Sequence, residues 1–285
     1  LMVGELGSSF KELGGGVSSW ILETIGPKMA YYAGWTYWVV HLPYISQKPQ
    51  GAIIAGSWAI FQSNAISNIN PVALQISCLV VFLIGLLIAT KGMNPLKKIA
   101  TIAGTSMFVM SILFIILMIS APAITGGNFI DIDWSLKTFM PTFDLKYFTS
   151  ISILVFAVGG CEKISPYVNK MDEPSKGFPK GMITLAIMVA VCAILGTISL
   201  GMMFDSNNIP QDLLTNGAYY AFQRLGEYYN VGNLFVILYA ITNFIGQVST
   251  LIISIDAPLR MLLESCDKEY MPRSMFKQNK YGAYA

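Results

Sequence analysis

The sequence predicts an all-α membrane protein, and three observations lead to that fold class. Hydrophobic residues make up 54% of the 285 residues, and the mean hydropathy is +0.57. Only 12% of the residues are charged, about half the share that is typical of soluble domains. The apolar residues also fall in runs of the length that crosses a bilayer, about 20 residues. A soluble domain with this composition has too few charges to cover its surface.

A hydropathy window of about 19 residues predicts six membrane spans. They are Met29–Ser63, Val72–Thr90, Ile99–Ser120, Tyr147–Met171, Met182–Phe204 and Leu234–Met261. A further apolar stretch, Leu1–Leu13, has the pattern of a helix end whose start lies before Leu1. Because the spans follow one another with short loops, we expect residues 1–285 to form one transmembrane domain.

The lysines and arginines predict which ends of the spans share a side of the membrane. If the 91–98 loop faces the cytoplasm, four segments lie on that side: 5–28, 91–98, 168–181 and 260–285. These segments hold 13 of the 18 basic residues, whereas the opposite loops, 121–146 and 205–230, hold three. This asymmetry agrees with the positive-inside rule. The net charge of +2 therefore reflects topology, and we expect no nucleic-acid partner.

The fourth span is interrupted. Its apolar run from Ile151 to Cys161 is 11 residues long, too short to cross a bilayer, and Gly159-Gly160 divides it just before Glu162 and Lys163. A glycine pair also permits close helix packing in membranes, but adjacent glycines followed by charges favour unwinding. Unwound backbone and half-helix ends form substrate sites in transporters. The sequence therefore predicts a carrier with a helix break within Val158–Cys161.

Other functional classes lack their motifs. The sequence contains no Walker loop, no GxSxG and no HExxH, so an ATP-driven pump or a membrane hydrolase is not indicated. The four cysteines stand singly and there is one histidine, which gives no zinc or disulfide pattern. We expect no enzyme, no catalytic residue, no metal and no cofactor.

Several stretches match the motifs of one family of permeases. They are Glu5-Leu6-Gly7, Gly14–Trp20, Ile25-Gly26-Pro27, Phe156–Glu162, Asp172–Gly181, Ile255–Arg260 and Tyr270-Met271-Pro272. On these the chain resembles the amino acid–polyamine–organocation (APC) superfamily, and within it the glutamate:GABA antiporter-like branch. The resemblance covers nearly the whole chain. It implies a partial five-plus-five inverted-repeat (LeuT-like) helix bundle, with this chain covering about helices two to eight. The resemblance thus also implies that the transmembrane domain is truncated at both ends.

The resemblance also implies a function. The expectation is a multi-pass, secondary-active amino acid transporter of the inner or plasma membrane, an antiporter that works by alternating access. Its partners are then an amino acid and the lipid bilayer. The span Ile99–Ser120 has neither an acidic residue nor the lysine that replaces sodium in some relatives, which favours exchange. A proton-coupled amino acid or polyamine permease, or a nutrient sensor without turnover, remains the alternative.

The resemblance places substrate at the broken span, on Phe156, Ala157, Val158, Gly159 and Gly160. Phe156 is either ordinary core or the aromatic residue that closes over substrate. On the eighth helix of the family, Asn243 and Gln247 lie four residues apart and so share one face. They either join helices or line the site.

Two charged residues inside spans complete the candidate site. Glu162 lies deep in its span, where ionisable groups tend to mark pathways, and we expect a gating or proton-linked role. Lys48 lies some 17 residues into the first long span, counted from Tyr31, roughly 25 Å along a helix. It either extends toward the headgroups or faces the bundle, where it neutralises an acidic substrate or a carboxylate such as Glu162. We expect it to point into the bundle.

Overall fold

Helices account for nearly all the secondary structure of the chain. The computed structural model describes residues 2–126, 135, 140, 142–204, 210–265 and 270–284, and this part contains no β-strand. The α-helices are α1 (Met2–Ser9), α2 (Val17–Thr24), α3 (Pro27–Phe61), α4 (Pro71–Ala89), α5 (Met93–Thr125), α6 (Leu145–Val158), α7 (Pro174–Gly201), α8 (Leu213–Tyr228) and α9 (Leu234–Glu264). Short 3₁₀ helices cover Ala65–Asn68, Cys161–Lys170 and Arg273–Phe276.

Each predicted span corresponds to a helix, and α4, α5, α7 and α9 are long and apolar enough to cross a membrane. The fold class, an all-α membrane protein, is therefore confirmed. The predicted break is confirmed as well, because α6 ends at Val158 and a 3₁₀ helix begins at Cys161. Between them only Gly159 and Gly160 connect the two segments.

Helix α7 begins earlier than the sequence predicted. The prediction placed Asp172–Gly181 in a cytoplasmic loop, yet α7 starts at Pro174 and contains Pro179. A proline removes the donor for the carbonyl four residues earlier, which here is that of Ser175. The hydroxyl of Ser8, on α1, donates to the Ser175 carbonyl at 3.2 Å. A contact from another helix thus replaces the missing bond, and this compensation cannot be read from local sequence.

Helix α8 was missed entirely, because the prediction treated 205–230 as a loop. Its buried face includes Gly217, Ala221 and Leu225, which recur at the four-residue spacing of one helix face. The polar residues between them lower the hydropathy of the segment below that of a membrane span. A periodicity search at this spacing finds the helix, whereas a hydropathy window does not.

Contacts at the two ends of the helices agree with the predicted sidedness. At one end, Ser19 bonds Ser265 across 2.7 Å, and the Asn279 amide donates to the Thr90 carbonyl at 2.7 Å. These residues lie in or beside the segments rich in lysine and arginine. At the other end, Ser120 bonds the Tyr229 hydroxyl at 2.7 Å. We refer to the two as the inner and outer ends.

The centre of the fold is the contact between α3 and α9. A Cβ at Gly34 would lie 3.1 Å from the Leu262 Cα, and one at Gly51 would lie 2.9 Å from the Gln247 Oε1. Ala52 and Ala55, on the same helix, are fully buried. Small residues let helix backbones approach closely in membranes. This approach brings the polar residues of α9 next to those of α3.

Asp212 lies at the outer end of the fold, where its carboxylate accepts three side-chain hydrogen bonds. Its carboxylate Oδ2 accepts from the Tyr220 hydroxyl at 2.8 Å, the Asn216 amide at 3.0 Å and the Asn64 amide at 3.1 Å. These bonds, led by that from Tyr220, hold the pKa of Asp212 below its ordinary value of 3.8. Burial, together with the same contact, raises the pKa of Tyr220 to about 12.

Asp212 should therefore make stability depend on acid. A carboxyl whose pKa is lower in the folded state stabilises the fold above its unfolded pKa, and this stability is lost as pH falls through the folded value. We expect the melting temperature in detergent to fall more steeply below pH 4 for the unaltered protein than for Asp212→Asn. Equal acid dependence of the two proteins would contradict this role.

Candidate functional site

The site is built around the interruption between α6 and the 3₁₀ helix that follows it. Gly159 has φ −74° and ψ 173°, an extended conformation, while Gly160 has φ 97° and ψ 4°. The second conformation is one that side chains with a Cβ rarely adopt. A glycine at position 160 thus allows the chain to turn out of α6 and begin a new helix at once.

The interruption leaves backbone polar groups free on both sides of the break. The last carbonyls of α6 and the first N–H groups of the 3₁₀ helix have no partners within their own helices. Two of these groups have partners at the break: the Val155 carbonyl accepts from Gly159 N–H, and Lys163 N–H donates to the Gly160 carbonyl, each at 3.1 Å. A cavity of about 570 Å³ lies beside the break, lined by Gly159, Gly160 and side chains of α7.

Glu162 is paired with α3. The Tyr37 hydroxyl donates to its Oε1 at 3.1 Å, and His41 Nδ1 lies 2.7 Å from the Tyr37 carbonyl oxygen. Tyr37, His41 and Glu162 line a second cavity of about 600 Å³. The sequence suggested Lys48 as a partner for Glu162, but within the described residues the ion pairs all involve Arg260. The tyrosine hydroxyl occupies the position proposed for the lysine.

Lys48 instead shares an aromatic ring with a residue of the broken span. Its Nζ lies 4.3 Å from the centroid of Tyr44, one turn earlier on α3, and Lys163 Nζ lies 4.2 Å from the same centroid. Lys163 also donates to the Ser254 hydroxyl on α9 at 3.3 Å. The two ammonium groups therefore both lie against one ring of α3, and Lys163 also contacts α9.

Asn243 and Gln247 do share one face of α9, and they form a short polar chain. The Gln247 amide donates to Asn243 Oδ1 at 3.3 Å, and the Asn243 amide donates to the Tyr219 hydroxyl at 2.7 Å. The Tyr219 ring stacks on that of Trp58, with centroids 5.1 Å apart. Asn243 thereby joins α9 to α8, while Gln247 continues toward α3 beside Gly51.

Within the predicted set, Asn243 and Gln247 contact each other, and Lys48 shares the Tyr44 ring with Lys163, the residue after Glu162. Phe156, Ala157 and Val158 form the last turn of α6, and their side chains lie outside the described part of the structure. Sequence reasoning did not select three tyrosines that contact the predicted residues, Tyr37, Tyr44 and Tyr219. It also did not select Lys163, which contacts the Tyr44 ring. Nothing in the sequence distinguishes these tyrosines from the others in the chain. Lys163 could have been selected, because it is a second charged residue directly after Glu162 within a predicted span.

Comparison with known proteins gives the family. The amino acid permease family model matches residues 1–285. The chain belongs to the amino acid permease family. It is 52% identical over 285 residues to the aspartate/glutamate permease AcaP of Lactococcus lactis subsp. cremoris, which covers 99% of this chain. The APC membership inferred from the motifs is thus confirmed, and the protein is a multi-pass membrane protein.

More distant relatives are also transporters. The inner membrane transporter YjeM of Escherichia coli is 23% identical over 311 residues, or 99% of this chain. A glutamate/gamma-aminobutyrate antiporter of Lactococcus lactis subsp. lactis is 22% identical over 276 residues, or 94% of this chain. The chain spans 58%, 61% and 52% of the lengths of these three relatives. No solved structure matches the chain.

Proposed function

We propose that this permease is a secondary transporter of the cell membrane that carries acidic amino acids by alternating access. The observation that carries the proposal is the break at Gly159-Gly160, because half-helix ends at membrane depth are how secondary transporters hold substrate. The transported amino acid leaves unchanged, so we assign no catalytic residue and no cofactor to the site.

The amino acid backbone of the substrate is held at the break in this proposal. Its carboxylate takes the N–H groups that open the 3₁₀ helix, where the helix dipole favours an anion. Its ammonium takes the carbonyls that end α6. We assign Phe156, Ala157 and Val158, which form the last turn of α6, to the same substrate site. Asn243 and Gln247 form the polar wall on α9, and Glu162 links the break to α3 through Tyr37.

The acidic substrate is suggested by two independent observations. The relative that is 52% identical is named an aspartate/glutamate permease. Lys48 places a positive charge within α3, 13 residues before its end at Phe61, roughly 20 Å along the helix. A lysine costs about 2.5–3.5 kcal/mol at the centre of a bilayer and less near its boundary, and an anionic substrate offsets part of that cost. We infer exchange of one amino acid for another as the transport mode.

Counterflow in liposomes tests the function directly. The full-length protein is reconstituted with unlabelled aspartate inside, and uptake of labelled amino acids is followed over a panel of acidic, neutral and basic types. We expect accumulation of aspartate and glutamate that depends on internal amino acid. Absence of counterflow for every amino acid would contradict transport, and would favour a sensor that binds without turnover.

A second candidate, proton-coupled transport, is favoured by one contact. Glu162, Tyr37 and His41 line one cavity, and a carboxylate at membrane depth is the group from which proton relays are built. Uptake into empty liposomes under an imposed pH gradient separates the two modes. An exchanger takes up substrate only when amino acid is present inside the liposomes, whatever the pH gradient. A proton-coupled transporter accumulates substrate in empty liposomes when the gradient is imposed.

A further inference from the structure

Two lysine ammonium groups lie at one aromatic ring, and neither belongs to the site proposed above for the amino acid backbone of the substrate. Lys48 and Lys163 lie 4.3 Å and 4.2 Å from the Tyr44 centroid. They come from different elements, since Lys48 belongs to α3 and Lys163 to the 3₁₀ helix after the break. Lys163 is further fixed by its bond to Ser254 on α9. The pair is therefore positioned by three elements.

The pair has no anion of its own. Among the described residues, neither lysine has a carboxylate oxygen within 4.0 Å, because both ion pairs involve Arg260. Glu162 is next to Lys163 in sequence, but its carboxylate accepts from the Tyr37 hydroxyl. Tyr44 and Ser254 are neutral. A cation over an aromatic ring gains about 0.5–2 kcal/mol, less than a lysine costs at the bilayer centre, and the two like charges also repel each other.

We propose that Lys48 and Lys163 together bind the side-chain carboxylate of a dicarboxylic amino acid, with the Tyr44 ring packed against both ammonium groups. A carboxylate has two oxygens and accepts from two ammonium groups at once. The anion supplies the missing counter-charge and relieves the repulsion between the lysines. This inference rests on the proposed function and names the part of the site that selects acidic substrates.

The spacing along the chain fits such a substrate. Lys163 lies three residues after Gly160, roughly 6 Å along a 3₁₀ helix that rises about 2 Å per residue. An amino acid held by its α-carboxylate at the start of this helix thus needs to span only about 6 Å for its side-chain carboxylate to reach the level of Lys163. An amide side chain brings no negative charge to offset the two ammonium groups, so the lysines favour aspartate over asparagine.

Paired substrates test the proposal in the full-length protein. Counterflow affinities for aspartate and asparagine, and for glutamate and glutamine, are compared in Lys163→Met, Lys48→Met and the double variant. We expect each single variant to lose roughly tenfold to a hundredfold in affinity for the acidic substrate, the range of charged hydrogen bonds. The amide substrates should be unaffected or bind better. The double variant should lose little more than either single one, since both ammonium groups act on one carboxylate.

Three controls separate this role from a structural one. Lys170→Met removes an exposed lysine from the same 3₁₀ helix and should leave both substrates unaffected. Ser254→Ala removes the Lys163 partner but keeps the charge, and should cost less acidic affinity than Lys163→Met. Lys163→Gln removes the charge but keeps a polar side chain, so it should show the same effect as Lys163→Met. The elution profile in detergent identifies variants that fail to fold.

The outcomes are distinct. Equal loss of aspartate and asparagine in folded Lys163→Met and Lys163→Gln overturns the carboxylate site and leaves transport itself standing. Unchanged affinity for aspartate in these variants also overturns it. If the unaltered protein transports neither aspartate nor glutamate, the proposed function fails before any variant is compared.

Discussion

Replacing Arg260 with methionine should destabilise the protein by about 3–5 kcal/mol, the cost of breaking a buried ion pair from one side. Arg260 and Asp256 are only 3% and 7% exposed, and Arg260 Nε lies 2.6 Å from Asp256 Oδ2. The methionine leaves the Asp256 carboxylate buried, with the Tyr167 hydroxyl at 2.7 Å as its remaining side-chain donor.

The same guanidinium has two further hydrogen-bond acceptors, and their loss adds to the effect. It donates to Glu264 Oε1 and to the Gly282 carbonyl oxygen, each at 3.1 Å. The second bond fastens the segment after α9 to the inner end. We therefore expect Arg260→Met to lower the melting temperature in detergent and the yield of monodisperse protein.

A charge-neutral pair of substitutions is the matched control. Asp256→Asn combined with Arg260→Met removes the buried charge at position 256, leaving only the more exposed Glu264 without its partner, and the introduced amide oxygen would still accept from the Tyr167 hydroxyl. Replacing both members of a buried ion pair is often close to neutral, so the double variant should recover much of the stability that Arg260→Met loses. If the double variant is no more stable than the single one, the packing of the arginine matters more than its charge.

Membrane spans and the break could be predicted because their causes are local. Hydropathy over one helix length decides whether a segment enters the bilayer, and two adjacent glycines decide where α6 ends. Sidedness followed from counting lysines and arginines. The same local rules failed at Pro179, where Ser8 of another helix satisfies the freed carbonyl, and over α8, whose buried face lies among polar residues.

The candidate site was only half predictable, since it depends on which helices become neighbours. Glu162 and Lys48 stand out in sequence as charges within spans. Their partners do not, because tyrosines are common throughout the chain. Tyr37 and Tyr44 can be recognised as partners only when the fold places α3 beside the break. The sequence therefore suggested a pairing of Lys48 with Glu162, while the fold pairs each with a different tyrosine.

Alanine at position 160 should reduce counterflow roughly fivefold to thirtyfold while leaving the protein folded. The φ of 97° at Gly160 is costly for a residue with a Cβ, by about 1–2 kcal/mol. A Cβ there has nothing within 4 Å, so the cost is conformational and not a steric clash. Alanine is also the best helix former. It thus favours continuing α6 through the break, which removes the unpaired backbone groups that we assign to the substrate.

Asparagine at the same position separates conformation from volume. It is larger than alanine but adopts left-handed backbone more readily, so Gly160→Asn should retain more counterflow than Gly160→Ala. Aspartate and asparagine uptake should fall together in both variants, because the break holds the part that all amino acids share. A greater loss of counterflow in Gly160→Asn than in Gly160→Ala would show that a glycine is required at position 160 because of its small volume and not because of its backbone angle. Normal counterflow in Gly160→Ala would remove the break from the substrate site.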